Sequence, residues 1–186
     1  MLYAGNLSGR RWESLALISK AVEQLNREGL RVNLDIYAAS PVTKAQKKQL
    51  CREGCSLHGA VPYETVQRLQ KEADIVIHAE GFSLYSRMLV HQSFSTKLVD
   101  YFSLGKCIFA VGTPDVASIH HLLKHDAAIV ANRKEEVYSK LKMLLEQPEM
   151  LEEYGEKAYL CGRSCHDEKK MQNMLFSDLQ ELACGR

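Results

Sequence analysis

The chemistry-bearing residues of this chain gather in the stretch from Asp74 to Gly112: the carboxylates of Glu80 and Asp100, the hydroxyls of Ser95 and Thr96, and the ammonium of Lys97. These are the groups that hold phosphates and sugar hydroxyls. The apolar run Ile75-Val76-Ile77 predicts a strand, and Glu80-Gly81-Phe82 opens the loop behind it. A helix is expected from Ser95 to Leu104, stopped by Gly105, and Cys107 to Val111 predicts a second apolar strand. Two parallel strands joined by a crossover helix bring the first loop and the helix N-terminus to the carboxyl edge of the sheet, where open α/β sheets take their ligands. Ser95 is a suitable N-cap, and the free N–H groups of the first turn together with Lys97 outline an anion site. Asp100 follows about one turn later, beside whatever anion lies at that terminus, and a sugar hydroxyl is a natural partner for it.

Several elements must position these groups. A short apolar strand over Met1 to Gly5 leads through the polar turn Asn6 to Arg11 into a helix from Trp12 to Glu28, whose Leu15, Ile18, Val22 and Leu25 recur at helical spacing. Val32 to Ala38 reads as a second strand, Lys44 to Arg52 as a solvated basic helix and Ser56 to His58 as a third strand. Pro62 and Tyr63 start a helix carrying Val66 and Leu69. Beyond the central stretch, Gly112 to Asp115 opens a helix ending near Lys124, and Ala127 to Ala131 is the sixth strand. Helices over Lys134 to Glu146, Pro148 to Leu160 and Glu168 to Leu182 complete the chain. The alternation predicts one α/β domain over residues 1–186, a doubly wound parallel sheet of about six strands with helices on both faces.

Composition excludes several classes. With 46% apolar and 25% charged residues in 186, the chain can bury a real core. A formal net charge of +1 supplies no long-range field for nucleic acid or an anionic membrane. No apolar run approaches the ~20 residues of a membrane span and no signal-like start is legible, so a cytoplasmic domain is expected. Cys51 and Cys55, and likewise Cys161 and Cys165 with the adjacent His166, have a zinc-compatible spacing. Cys55 and Cys107 fall in strand patterns, where cysteine acts as a small hydrophobe, and with Cys184 they imply no disulfide framework. His120 and His121 point about 100° apart on a helix and read as structural, so no metal site is assigned. No Gly-x-Gly-x-x-Gly follows the first strand, which argues against a dinucleotide-binding enzyme.

Glu80-Gly81-Phe82-Ser83 and Asp100-Tyr101-Phe102-Ser103-Leu104-Gly105 together resemble the paired-acid motif of GT-B glycosyltransferases, in the large retaining group whose C-terminal domain binds the nucleotide sugar. The match departs from the family in two ways. The second acid is Asp, and nineteen residues separate the acids, so Leu84 to Phe94 is an insertion. Lys97-Leu98-Val99-Asp100-Tyr101 is similar to a variant found in transferases of surface-polysaccharide synthesis. The resemblance covers nearly the whole chain, with its specific motifs confined to loops. It implies a Rossmann-like donor domain lacking its N-terminal acceptor domain, and a sugar transfer from a UDP- or GDP-linked donor to a glycan or lipid-linked acceptor. Glu80 would hold the transferred sugar as the catalytic residue. Gly5, Asn6, Arg10, Arg11, Val61, Ser95, Thr96, Lys97 and Asp100 would bind the donor, with Arg10, Arg11 and Lys97 on the diphosphate, Val61 on the base and Asp100 on the ribose. No cofactor is implied, and any membrane association would be peripheral, through the other half. The insertion, which mixes apolar residues with Arg87 and His91, reads as a mobile flap over the donor site. The rival reading is a non-catalytic α/β module that binds nucleotide or protein, because fold does not fix function.

Overall fold

The computed structural model describes residues 1–183, the side chain of residue 168 excepted. Its centre is a six-stranded, all-parallel sheet in the order β3-β2-β1-β4-β5-β6. The strands are β1 (Leu2–Ala4), β2 (Leu34–Tyr37), β3 (Cys55–His58), β4 (Ile75–Ala79), β5 (Cys107–Val111) and β6 (Ile129–Ala131). In β4 and β5 every residue is buried, and alternate side chains serve opposite faces, as the period of two in a pleated strand requires. Ile75, Ile77, Phe109 and Val111 join one apolar cluster, whereas Val76, Ile108 and Ala110 join the other.

The first cluster is closed by α1 (Arg11–Arg27), α2 (Lys44–Leu50) and α7 (Glu136–Glu146). Leu15, Ile18, Val22 and Leu25 form the buried stripe of α1 expected from their spacing. The second cluster is closed by α5 (Lys97–Leu104), α6 (Ala117–Lys124) and α8 (Glu149–Cys165). Between the layers' edges lie α3 (Tyr63–Glu72) and α4 (Leu84–Val90), and α9 (Glu168–Ala183) follows the last turn of α8. The doubly wound expectation is therefore met, with the chain reversing its direction of travel between β1 and β4, the point at which such sheets form a ligand crevice.

Three elements differ from the sequence reading. The insertion Leu84 to Phe94, expected as a flap, contains the helix α4: Ser83 caps it by accepting from the Ser86 N–H at 3.2 Å, and the Ala117 N–H donates to the His91 carbonyl at 2.9 Å. α6 begins at Ala117 rather than near Thr113, because the Val116 N–H is spent on the Thr113 carbonyl in a turn. α8 continues past Leu160 to Cys165, since Ala158 and Cys161 have a buried face to pack and nothing in the sequence breaks the helix. Cys184 lies outside the described residues.

Candidate functional site

At the carboxyl edge of β1, β2 and β3 the structure opens a cavity of about 290 Å³. Gly5 and Asn6 line it after β1, Tyr37 and Ala38 at β2, Val61 after β3, Gln70 from α3, and Lys97 with Asp100 from α5. A second cavity of about 410 Å³ shares Gly5, Asn6 and Lys97 with it and continues towards Arg11, Glu80, Ser95 and Thr96. Sequence reasoning thus assigned residues from four separate loops that the fold brings into two adjoining hollows.

Lys97 lies at their boundary. Its ammonium stands 4.6 Å from the centre of the Tyr3 ring, and no carboxylate of the described residues forms an ion pair with it. Burial, helped by the nearby Arg11 guanidinium and opposed by Glu80, brings its pKa down to about 8. Gly5 makes this approach possible, because a Cβ there would collide with the Lys97 ammonium and crowd the Tyr3 hydroxyl at 3.3 Å. Asp100 sits on the same helix, and burial raises its carboxyl above the ordinary value. Lining the same cavity is Gln70, which is buried and whose Oε1 has no hydrogen-bond partner among the described residues. An orphaned buried acceptor is uncommon, and a ligand donor would satisfy it.

Glu80 has a different setting. Arg11 grips its carboxylate with both arms, Nε to Oε2 at 3.0 Å and Nη2 to Oε1 at 3.1 Å, and only 4% of the Glu80 side chain is exposed. The backbone is pinned as well: the Ser14 hydroxyl donates to the Glu80 carbonyl at 2.6 Å, and the Glu80 N–H donates to the Val111 carbonyl at 2.8 Å. Behind it, His78 Nε2 lies 3.7 Å from Glu80 Oε1 and 3.0 Å from the Ser118 hydroxyl. Burial above all, with Lys97 and Arg11 adding to it, depresses the His78 pKa to about 3, so this imidazole is neutral. Arg11 also donates to Asn6 Oδ1 at 2.9 Å, and the Tyr3 hydroxyl donates to the Asn6 carbonyl at 2.5 Å. The two groups expected to meet different parts of a donor therefore meet each other.

Other expectations are corrected by position. Arg10 is exposed, adopts left-handed backbone at φ 60, and pairs with Glu13 at 2.5 Å; it lines neither cavity. Ser95 does not cap α5: the helix starts at Lys97 without a side-chain cap, and the N–H groups of Leu98 and Val99 turn back onto the carbonyls of Ser95 and Thr96 at 3.0 and 3.1 Å. That tight turn consumes two of the N–H groups expected to face an anion, leaving Lys97 as the cationic element there. Arg87, on the insertion read as a mobile flap, is bound to Asp115, its Nε donating at 2.6 Å, which fastens α4 to the loop after β5. The outer face of α4 carries Leu84, Tyr85, Met88 and Leu89, all exposed. Gln70, Tyr37 and His78 were not anticipated. For Gln70 the sequence held no distinguishing signal: it is one of two glutamines on α3, and nothing said which of them faced inward.

No family model matches the sequence, and no curated protein matches it. Solved structures do. An α,α-trehalose 6-phosphate synthase from Burkholderia multivorans superposes with a TM-score of 0.67 at 11% identity, over 98% of this chain and 42% of that one. A Thermobaculum terrenum O-GlcNAc transferase mutant gives 0.63 at 17% identity, over 97% and 35%. The catalytic domain of a cholesterol-α-glucosyltransferase from Helicobacter pylori gives 0.56 at 14%, over 88% of this chain and 96% of that one. The fold resemblance to GT-B glycosyltransferases is thereby established, and the chain spans less than half the length of the first two.

Proposed function

We propose that this chain is the donor-binding domain of a glycosyltransferase, which takes a sugar from a UDP- or GDP-linked donor and passes it to a glycan or lipid-linked acceptor in polysaccharide biosynthesis in the cytoplasm. The observation that carries the reading is the convergence of Gly5, Val61, Lys97 and Asp100 on one cavity at the crevice of a parallel sheet. Lys97, a cation with no ion-pair partner, meets the diphosphate and holds its charge as it leaves. Fixed positive charge directed at developing negative charge is usually the largest catalytic term. Asp100 and Gln70 Oε1 accept hydrogen bonds from ribose hydroxyls or the base, and the main chain around Val61 reads the base edge.

Arg11 and Glu80 act here as a fixed pair. The carboxylate orients the guanidinium beside the phosphate path, and the second cavity leaves room for the sugar against both. The acceptor belongs to another domain. The exposed apolar faces of α4 (Tyr85, Met88) and of α9 (Leu175, Phe176, Leu179) support that view, since apolar patches of this kind mark interfaces. This domain alone then binds donor without transferring sugar, because transfer needs both substrates in one oriented, water-excluded site.

The test is thermal unfolding with UDP, GDP and ADP. One of them stabilises the domain by about 2.7 kcal/mol at a hundredfold excess over Kd, and Lys97→Met abolishes the rise. Melting curves indifferent to all three would refute nucleotide binding. The Arg11–Glu80 pair favours a second reading, a non-catalytic nucleotide- or protein-binding module, because a catalytic acid closed off by its own chain does not need to meet substrate. Sugar transfer by the domain joined to its acceptor-holding partner, lost in Glu80→Gln, would exclude that reading.

A further inference from the structure

On the sheet face covered by α5, α6 and α8, the end of α6 meets the end of α8. His121 and His125 stand one turn apart on α6 and its C-cap, and Cys161 and Cys165 stand one turn apart on α8, with His166 directly following. Spacing of four residues places each pair on one helix face. The rings and thiols turn towards a common point. Ligand atoms of His121, His125 and Cys165 all lie within 4.8 Å of one another, and all three residues are half-buried. Cys165 Sγ is 3.7 Å from His125 Nε2, His166 Nε2 is 3.2 Å from His121 Nε2, and Cys161 Sγ is 3.4 Å from the same His121 nitrogen.

These separations have a chemical meaning. A tetrahedral zinc ion with Zn–N near 2.0–2.1 Å and Zn–S near 2.3 Å sets its ligand atoms roughly 3.3–3.8 Å apart. The cluster's close approaches fall near that range. Among the described residues no acid takes part, so the donor set is imidazole and thiolate, which suits zinc over magnesium or calcium. The alternative is an imidazole–imidazole hydrogen bond at 3.2 Å with the thiols as bystanders. That account leaves unexplained why two further side chains, Cys165 and His125, also converge.

We infer that His121, His125 and Cys165 form a zinc site where the end of α6 meets the end of α8, with His166 and Cys161 set against His121 as its supporting shell. The sequence reading placed zinc-compatible spacing at Cys161 and Cys165 with the adjacent His166, but ended α8 at Leu160 and read His120 and His121 as structural. The helix extension and the turn after α6 bring the two motifs together. The site has a mechanical role: Phe94 stacks on His166 at 5.0 Å and lies edge-on to His121 at 5.1 Å, and the segment it begins runs through Ser95 and Thr96 to Lys97. A bound ion holds these rings, and so fixes the strap that delivers Lys97 to the donor cavity, while also setting the angle at which α9 departs. The inference does not depend on what the cavity binds.

The experiment titrates the metal-free whole chain with Zn²⁺ against a chromophoric chelator, and separately with Co²⁺. One ion per chain is expected, with a thiolate-to-cobalt charge-transfer band and the intense visible bands of tetrahedral cobalt. His125→Ala and Cys165→Ser each weaken Zn²⁺ binding at least a hundredfold, His166→Ala weakens it about tenfold, in the range that disturbed metal shells show, and Cys51→Ser, at an exposed cysteine far from the cluster, leaves it unchanged. Melting of the metal-free variants checks that they fold: equal melting temperatures with and without the substitutions assign the loss to ligation. Absence of stoichiometric Zn²⁺ binding, retention of full affinity in folded Cys165→Ser or His125→Ala, or a Co²⁺ complex without thiolate charge transfer would each overturn the site.

Discussion

The two halves of the carboxyl edge treat charge in opposite ways. On the β4 side, Glu80, Arg11 and Asn6 satisfy one another, and the backbone of Glu80 is bonded at both its N–H and its carbonyl. On the β1–β2 side, the Lys97 ammonium lies over the Tyr3 ring with no ion-pair partner among the described residues, Gln70 Oε1 has no hydrogen-bond partner among them, and Asp100 lines the cavity. A polar group whose partners are all supplied by its own chain maintains shape. One left short of partners is available to a ligand, and its desolvation is a cost that ligand binding relieves. The two acids of the resemblance have equal weight as sequence but not as structure: Glu80 belongs to the framework and Asp100 to the opening.

The sharpest way to break this contrast is to remove one member of the closed pair. Glu80→Ala or Arg11→Ala leaves a buried charge alone, and urea unfolding is expected to register a loss of about 3–5 kcal/mol. The double replacement Arg11→Met with Glu80→Leu costs much less than either single change, since no orphan charge remains. If Glu80→Ala were as stable as the parent, the framework role would fail. On the open side the effects move from stability to binding. Asp100→Asn lowers nucleotide affinity about tenfold, near 1.4 kcal/mol, while its stability stays within about 0.5 kcal/mol; calorimetry beside urea unfolding separates the two.

Lys97 gives the comparison a pH dependence. Its folded pKa, about 8, lies below its ordinary value of 10.5, so between those limits the unfolded chain holds more protons than the folded one. Stability contributed by this group therefore rises as pH climbs from about 8 towards 10.5, and it is lowest below 8, where the ammonium is charged in both states. Lys97→Met removes that slope and raises the stability of the ligand-free domain at pH 7. A bound phosphate has the reverse demand, needing the charged form, so nucleotide affinity falls above pH 8. Unfolding curves at pH 7 and 9.5 with parent and variant test the sign. The smallest effect belongs to Arg10→Ala, where loss of an exposed i,i+3 pair changes stability by less than about 0.5 kcal/mol and leaves nucleotide binding intact. A larger loss of binding there would restore Arg10 to the phosphate site.

Much of the scaffold was legible because it depends on patterns that local chemistry controls. The short apolar runs at Ile75 and Cys107 have the length and composition of strands buried on both faces, and the α1 stripe has one helical reading. Gly105 stops α5 in left-handed conformation at φ 59, as a glycine at that place should. The insertion was harder: Leu84 to Val90 carries a capped helix whose signal is one serine, and Arg87 has no sequence mark pointing it to Asp115 rather than to phosphate.

What the sequence by itself determined is the order of elements, the parallel sheet and the identity of the loops that reach its carboxyl edge, because strand period, helix period and glycine stops act over a few residues. Tertiary structure alone decided which charges are free. Arg11 and Glu80 are sixty-nine residues apart in sequence and share one salt bridge, Gln70 becomes an orphan only when α3 packs beside α5, and the helix pairs at His121 and Cys161 face each other only across the layer. Partnership between distant polar groups follows from distance and burial, and neither quantity exists until the sheet has brought the loops together.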